Sequence, residues 1–548
     1  MSRYFIYIFT VFLLFCKIGF GQDYTVDLVV YNGTIYTVDE SFTVKSAMAI
    51  KGGKIVGIGE DADILSKYTS AQKLNLNGRY VYPGFYDAHC HFLPYGLSLN
   101  ELDLVGVSSQ AEMIKLIDKY AKSNISKWII GRGWDQNLWK NKSLNIIVEL
   151  DKRYPETPIY LTRIDGHSVL VNSKALQLAG IDLNTQIQGG EIGKDENGKL
   201  NGILVDKAMD RVKAKLPSHS YQEMYLAVKK MEKICLSNGL TSVCDAGISY
   251  KEILALDKMS DSLTIRVNAM LLYNDSNLVT ALQKGEIFKP KFHFCSVKSY
   301  ADGSLGSWGA LLLKPYTDKP SSNGILIESE EYLLSIAKKV YNYGFQLNTH
   351  CIGDSSLRLI LGNYSKVLPT YNQLRWRIEH LQMAEDEEFN IIVKYHIVPS
   401  VQPAHATSDA AWVYGRIGTR ADSAYPYKKL IQRTGLIAMG TDFPVEPINP
   451  MLGYYAAIFR QPATNTKQKV FAPENSISRQ DALKGMTIWA AYACREENEK
   501  GSLVVGKWAD FIILETDLIK DSPKKIAQTK PISTYVAGVK VYDRNSKK

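Results

Sequence analysis

Residues 82–92, YPGFYDAHCHF, place His89 and His91 two apart, just past an apolar run and a Pro-Gly step. A strand points residues i and i+2 to the same face. Two imidazoles side by side at a strand end can grip one metal ion. The plainer reading is a chance pairing in a chain with nine histidines. What lies downstream decides between the two.

Seven more short apolar runs follow, most of them trailed by helix-like stretches: LTSVCDAG, TIRVNAMLLY, HFCSVKSYADG, GFQLNTHCIGD, RWRIEHLQM, IVPSVQPAH and LIAMGTDFPV. Alternation of buried strand and helix implies parallel strands, and eight strands imply a (β/α)8 TIM barrel over residues 81–494. Between the first run and the second lies a stretch too long for one βα unit, about 97–237. It has strand-like pieces, WIIGRGWDQ and TPIYLTRIDGHSVLVN, and a helix-like piece, DKAMDRVKAKL. We expect an insertion that folds over the barrel mouth. Both ends of the chain have a different texture, with short β segments punctuated by Gly and Asn in residues 22–80 and 495–548. They predict one β-sandwich assembled from both termini.

Residues 1–21 carry Arg3, the apolar run FIYIFTVFLLF and small residues at Gly19 and Gly21, the pattern of a cleaved signal peptide. The run is too short for a comfortable membrane span, so export to the periplasm or beyond, without a membrane anchor, is expected. Six dispersed cysteines remain after Cys16, with no Cys-x-x-Cys pair, and buried free thiols are the expectation. The net charge of +9 comes from scattered lysines without a basic stripe, which argues against a nucleic-acid partner. The sequence leaves a homo-oligomer open.

Polar residues recur at the C-terminal ends of the eight runs, where barrel enzymes keep their sites. His89 and His91 end the first, Lys298 lies in the fourth, His350 ends the fifth, His380 the sixth and Asp442 the eighth. A lone strand histidine is more often a core residue than a ligand, and a lone Asp before Phe-Pro is usually a turn former. Six such residues at matching ends of five strands are hard to obtain by accident.

PGFYDAHCH, the lysine strand, the single histidines on the next two strands and a late GTD resemble the amidohydrolase superfamily of metal-dependent hydrolases. DGHSVLVNSKAL, KSYADGSLGSWGALLLKPY and GTDFPVEPINP further resemble its family 3, the branch that includes N-substituted formamide deformylases. The resemblance covers nearly the whole chain beyond residue 21. It implies a barrel with a composite β-sandwich and hydrolysis of a non-peptide carbon–nitrogen bond in a small-molecule amide. By resemblance, His89, His91 and Asp442 would hold one metal ion and His350 and His380 a second, with Lys298 joining them.

The residue types make chemical sense. Neutral imidazole and carboxylate suit one or two divalent ions, zinc above all. A lysine near cations loses its proton more readily, and the free amine can take up carbon dioxide as a bridging carbamate. The plain alternative for Lys298 is an ion pair with Asp302. Asp442 is the expected catalytic base. His167, in the insertion, and His405, at the end of the seventh run, are substrate-binding candidates, each weighed evenly against a packed or capping histidine. Trp134 and Trp139 are expected in a core rather than in a pocket. A one-metal deaminase on the same barrel would carry a Glu after the fifth strand, where HCIGDSSL offers only Asp354. A metallo-dipeptidase and a non-catalytic binding protein on the same fold remain as alternatives.

Overall fold

The computed structural model describes residues 24–123, 127–141, 146–465 and 467–546, and the expected signal segment lies outside the described residues. All eight apolar runs form strands: β1 (Phe85–Cys90), β2 (Leu240–Ile248), β3 (Arg266–Leu272), β4 (Phe292–Tyr300), β5 (Gln346–Cys351), β6 (Arg377–His380), β7 (Val398–Val401) and β8 (Ala438–Met439). They pair in that order, each parallel to the next. Strands buried on both faces read as near-continuous apolar runs, which is why the pattern was visible. The ring closes past the end of β8, where Asp442 N–H donates to His89 O at 2.7 Å and His91 N–H donates to Phe443 O at 2.8 Å. The fold is a TIM barrel.

Helices between the strands start on legible caps. Ser220 with Glu223, and Ser249 with Glu252, form reciprocal capping boxes ahead of helices Tyr221–Ser237 and Tyr250–Met259. The first of these packs into the barrel's core through Met224, Val228, Met231 and Cys235. Among the described residues no helix is long and apolar enough to cross a membrane.

The stretch after β1 folds as a six-stranded sheet, with strands in the order Leu102–Asp103, Ile129–Trp134, Ile159–Arg163, Ser168–Val171, Leu200–Asp206 and Gly190–Lys194. Trp134 and Trp139 belong to its core, where their indole N–H groups donate to Leu161 O and Val107 O. The two chain ends meet in one further sheet. Phe511–Leu514 runs antiparallel to Tyr80–Pro83, which runs parallel to Thr34–Tyr36. A four-stranded sheet of N-terminal strands faces it, and Val30, Ile35, Ile50, Val81, Phe511 and Ile513 share the core between them. The six cysteines among the described residues are all buried and free.

One buried ion pair fastens the sandwich to the barrel floor. Arg266, at the start of β3, reaches Asp510 through Nε at 2.6 Å and Nη2 at 3.0 Å, and its guanidinium lies 4.5 Å from the Trp508 ring. Removing one partner strands the other charge without water. We predict that Asp510→Ala destabilises the protein by about 3–5 kcal/mol in chemical denaturation. Glu515→Ala, which breaks the exposed pair with Arg544, should stay within about 1 kcal/mol. Equal stability of the two variants would show that the buried pair does not hold the domains together.

Candidate metal centre

The centre begins with a break in alternation. The ladder between β1 and β2 shifts register between Asp87 and Cys90, so the strict period of two fails across the histidines. Asp87 is drawn to the tail of β8, accepting from Thr441 N at 3.0 Å and Thr441 Oγ1 at 2.6 Å. It also accepts from His89 N at 3.2 Å. Burial raises its carboxyl to about 7. Cys90 packs in the helix-covered core, as expected for a thiol that is not a ligand. His91 sits just beyond the strand, at the start of helix Phe92–Ser98.

His89 is fully buried, and its two ring nitrogens have different partners. Nδ1 lies 2.5 Å from Glu379 Oε2, and Glu379 is in turn 2.7 Å from Arg377 Nε. A carboxylate on Nδ1 fixes the ring and leaves Nε2 presented to the centre. Burial alone would raise the Glu379 carboxyl, but Arg377 and His89 outweigh it and hold it down to about 2. Burial, followed by the Lys298 charge, lowers His89 to about 4 and so keeps it neutral.

Lys298 Nζ sits 3.2 Å from His89 Nε2. Its ion pair with Asp302 does not form among the described residues. Asp302 is instead consumed by the N–H groups of Leu311, Ile352 and Gly353 and by the Ser356 hydroxyl. Burial lowers the Lys298 ammonium to about 8, so the ammonium still predominates at neutral pH but the free amine is far more accessible than for an ordinary lysine.

The remaining residues close around these two. The His380 ring lies 4.8 Å from His89 and 4.4 Å from His350. Both His350 and His380 are pushed well below the ordinary imidazole range by burial and then by neighbouring cations or imidazoles. Asp442 Oδ1 lies 3.1 Å from His91 Nε2 and 3.6 Å from His89 Nε2, and Oδ2 lies 3.5 Å from His405 Nε2. Burial would raise this carboxyl, but His89, His91 and His405 hold it well below the usual carboxylate range.

The donor set fits a divalent cation. His380 Nδ1 and Asp442 Oδ1 are buried without a hydrogen bond, and donor atoms of His89, His380 and Asp442 all lie within 4.8 Å of one another. This trio crosses the two ligand sets that the resemblance implies, because the His380 ring on β6 lies closer to His89 than the His91 ring does, 4.8 against 5.9 Å. His91, Lys298 and His350 surround it.

Both substrate-binding candidates reach the same place. His167 caps the hairpin between Ile159–Arg163 and Ser168–Val171; its Nδ1 is 2.7 Å from Asp206 Oδ1 and its ring 4.9 Å from His350. Burial lowers it, but the bond to Asp206 wins and raises its pKa. His405 follows β7 on helix Pro403–Ser408, with its ring 6.0 Å from His380. Two cavities, of about 790 and 250 Å³, meet here, both lined by His167, His350, His380 and Asp442. Asp354 lines neither.

Sequence reasoning missed Glu379, Arg377 and Asp206. The signal for the first two was present in RWRIEH, where a like-spaced Arg and Glu interrupt an otherwise buried strand. Because Glu379 orients His89, Glu379→Gln should weaken metal affinity about 10–100-fold while the fold persists. Chelator-competition titration measures this, with circular dichroism as the check on folding. Wild-type affinity in the variant would remove Glu379 from that role.

Comparison with known proteins agrees with this geometry. Residues 72–542 match the amidohydrolase family. The chain is 33% identical to Protein LONG AFTER FAR-RED 3 of Arabidopsis thaliana, over 94% of this chain and 91% of that one. It is 23% identical to the N-substituted formamide deformylase of Arthrobacter pascens, over 94% and 98% respectively. Among solved structures, an uncharacterized metal-dependent hydrolase from Pyrococcus horikoshii OT3 superposes with a TM-score of 0.73 at 27% identity, covering 90% of this chain and 99% of that one. The match over most of its length, on a barrel with histidines and a carboxylate gathered at its mouth, makes this chain a member of the amidohydrolase family.

Proposed function

We propose that this chain is an exported enzyme that hydrolyses a non-peptide carbon–nitrogen bond in a small amide or cyclic amide. The observation that carries the reading is the meeting of His89, His380 and Asp442 donors within 4.8 Å, beside a buried lysine and at the junction of two cavities. His89, His91, His350, His380 and Asp442 would hold one or two divalent ions, zinc by donor type, with carboxylated Lys298 between them. A bound ion would supply Lewis acidity at the carbonyl and a water ready to attack near neutral pH.

The chain's own residues do the rest. Asp442 takes a proton from the attacking water and passes it to the leaving nitrogen, which departs poorly as an anion. His167, held by Asp206, donates to the carbonyl oxygen as charge develops there. His405 sits across the centre from it, near the other oxygen of Asp442. The insertion covers the site and limits the entry of bulk water.

Metal analysis of the purified protein, followed by a panel of amides, imides and dipeptides, tests the reading. Absence of bound metal, or exclusive cleavage of dipeptides, would overturn it. Asp442→Asn keeps the shape and one ligand oxygen but cannot accept the proton, so we predict near-complete loss of kcat with metal largely retained. A folded, metal-loaded variant turning over within about tenfold of wild type would return Asp442 to a structural role. Lys298→Ala should lose activity and regain part of it with added short carboxylic acids. Full activity without them would take Lys298 out of the bridge.

A further inference from the structure

The six free cysteines among the described residues have no part in the chemistry proposed above. Two of them differ from the rest by what surrounds them. Cys244 lies in β2, and Cys494 directly follows helix Ile488–Ala493, which closes the barrel floor against Ala88 of β1 and Ala438 of β8. The two share partners. Arg377 Nη1 lies 3.6 Å from Cys494 Sγ and 3.9 Å from Cys244 Sγ. Asn268 donates through Nδ2 to Cys494 O at 3.3 Å, and its Oδ1 lies 3.8 Å from Cys244 Sγ. The Cys244 thiol is also hydrogen-bonded to the Cys494 sulfur.

The guanidinium makes the pair unusual. Its Nε faces Glu379, and its Nη2 donates to Ala88 O and Ser400 Oγ, which leaves Nη1 to the two sulfurs. A buried N–H of a cation needs an acceptor, and a thiolate is a far better one than a thiol. Burial pushes up the thiols of Cys90, Cys235, Cys244, Cys295 and Cys351. It acts on Cys494 too, but there the hydrogen bond from Cys244 and the Arg377 charge outweigh it and lower the thiol. The thiolate is the nucleophilic form, and a neighbouring arginine favours it.

We propose that Cys494 is a peroxide-reactive cysteine with Cys244 as its resolving partner, and that the pair closes to a disulfide within the folded protein. The Cys494 sulfur attacks one oxygen of hydrogen peroxide and the O–O bond breaks, giving a sulfenic acid and hydroxide. The Cys244 sulfur then attacks the Cys494 sulfur and gives up its proton, and the sulfenic oxygen leaves as water. Two thiols and one peroxide become one disulfide and two waters; the sulfurs lose two electrons and the peroxide gains them. Both cysteines are only 1% exposed, so the oxidant has to be close to water in size, as hydrogen peroxide is. The bond would fasten β2 to the helix that closes the floor. None of this depends on the amide-hydrolase reading.

Peptide mapping tests it. Folded full-length protein, loaded with zinc because that ion has no redox chemistry of its own, is exposed to hydrogen peroxide for graded times. Each sample is quenched with catalase, unfolded, alkylated and digested without reduction. We expect the linked Cys244–Cys494 peptide as the first thiol product, formed at least about tenfold faster than oxidation at any other cysteine. Dithiothreitol added after unfolding should restore both thiols. In Cys244→Ser, Cys494 should stop at a sulfenic acid that dimedone traps, and Cys494→Ser should lose the fast oxidation altogether. A different cysteine pair, a linked peptide that appears no faster than oxidation elsewhere, or one that forms only after unfolding each overturns the proposal. So does fast oxidation that persists in Cys494→Ser. Circular dichroism checks the variants, and should either not fold, the wild-type time course decides on its own.

Discussion

The close approach of the chain after β8 to β1, at Gly440, is the constraint on which the site depends. A Cβ there would lie 2.5 Å from His89 N, 2.7 Å from His89 O and 2.9 Å from Asp87 Oδ1, so no larger residue fits without moving backbone. That contact sets the next two residues. Thr441 binds Asp87 through its N–H and its hydroxyl, and Asp442 N–H binds His89 O. Asp442 then turns into the left-handed region, at φ 59°, a conformation that non-glycine residues rarely adopt. Its carboxylate is carried over the histidines by backbone geometry, not by a flexible side chain. Barrel closure and assembly of the donor set are one event.

Beneath that seam runs a charged core that stability alone would not select. Arg377 and Glu379 have no exposed side-chain surface, and burying such a pair is often no better than packing hydrocarbon. Here the guanidinium is satisfied on several sides: Glu379, Ala88 O at 2.7 Å and Ser400 Oγ at 2.9 Å. It thereby links β1, β6 and β7. The link passes through Glu379 to His89 Nδ1, so the cost of burying charge is returned as a fixed ring orientation. A rigid supporting layer of this kind keeps ligand donors in place.

The sequence shows the fold more fully than it shows the site, for a physical reason. A doubly covered parallel strand must be apolar throughout, so each barrel strand left its own mark in composition. The composite sandwich was legible because both chain ends carry hairpin texture. The six candidate residues at strand ends were legible through position, and they converge on one place together with His167 and His405. Contacts that cross strands left no such mark. Glu379 and His89 are 290 residues apart, and nothing local in either strand names the other. The register shift in β1 was equally hidden, as was the bond that Asp87 makes to Thr441 across the seam. His380 shows the same limit. It follows Glu379 directly, and both reach the centre because the chain turns at His380 (φ 72°) and Leu381 (φ 45°), a distortion that no propensity announces.

On the proposed reading, chemistry and selection sit on different parts of the molecule. The candidate metal donors and Lys298 come from the barrel strands and the turns that end them, where position is fixed by backbone hydrogen bonds. His167 and Asp165 come from the hairpin loop of the insertion, Arg132 from one of its strands, Asp409 from the short 3-10 helix Asp409–Ala411 beyond β7, and Glu446 from the loop beyond β8. Loops on a rigid scaffold can change without disturbing what the scaffold holds. His167 is the point of contact between the two systems, because its ring lies beside His350 while Asp206, in its own sheet, sets its orientation. A change of substrate within this architecture would be expected to alter the cavities and spare the seam at Gly440, since no cavity residue can be useful unless Asp442 is first brought to His89.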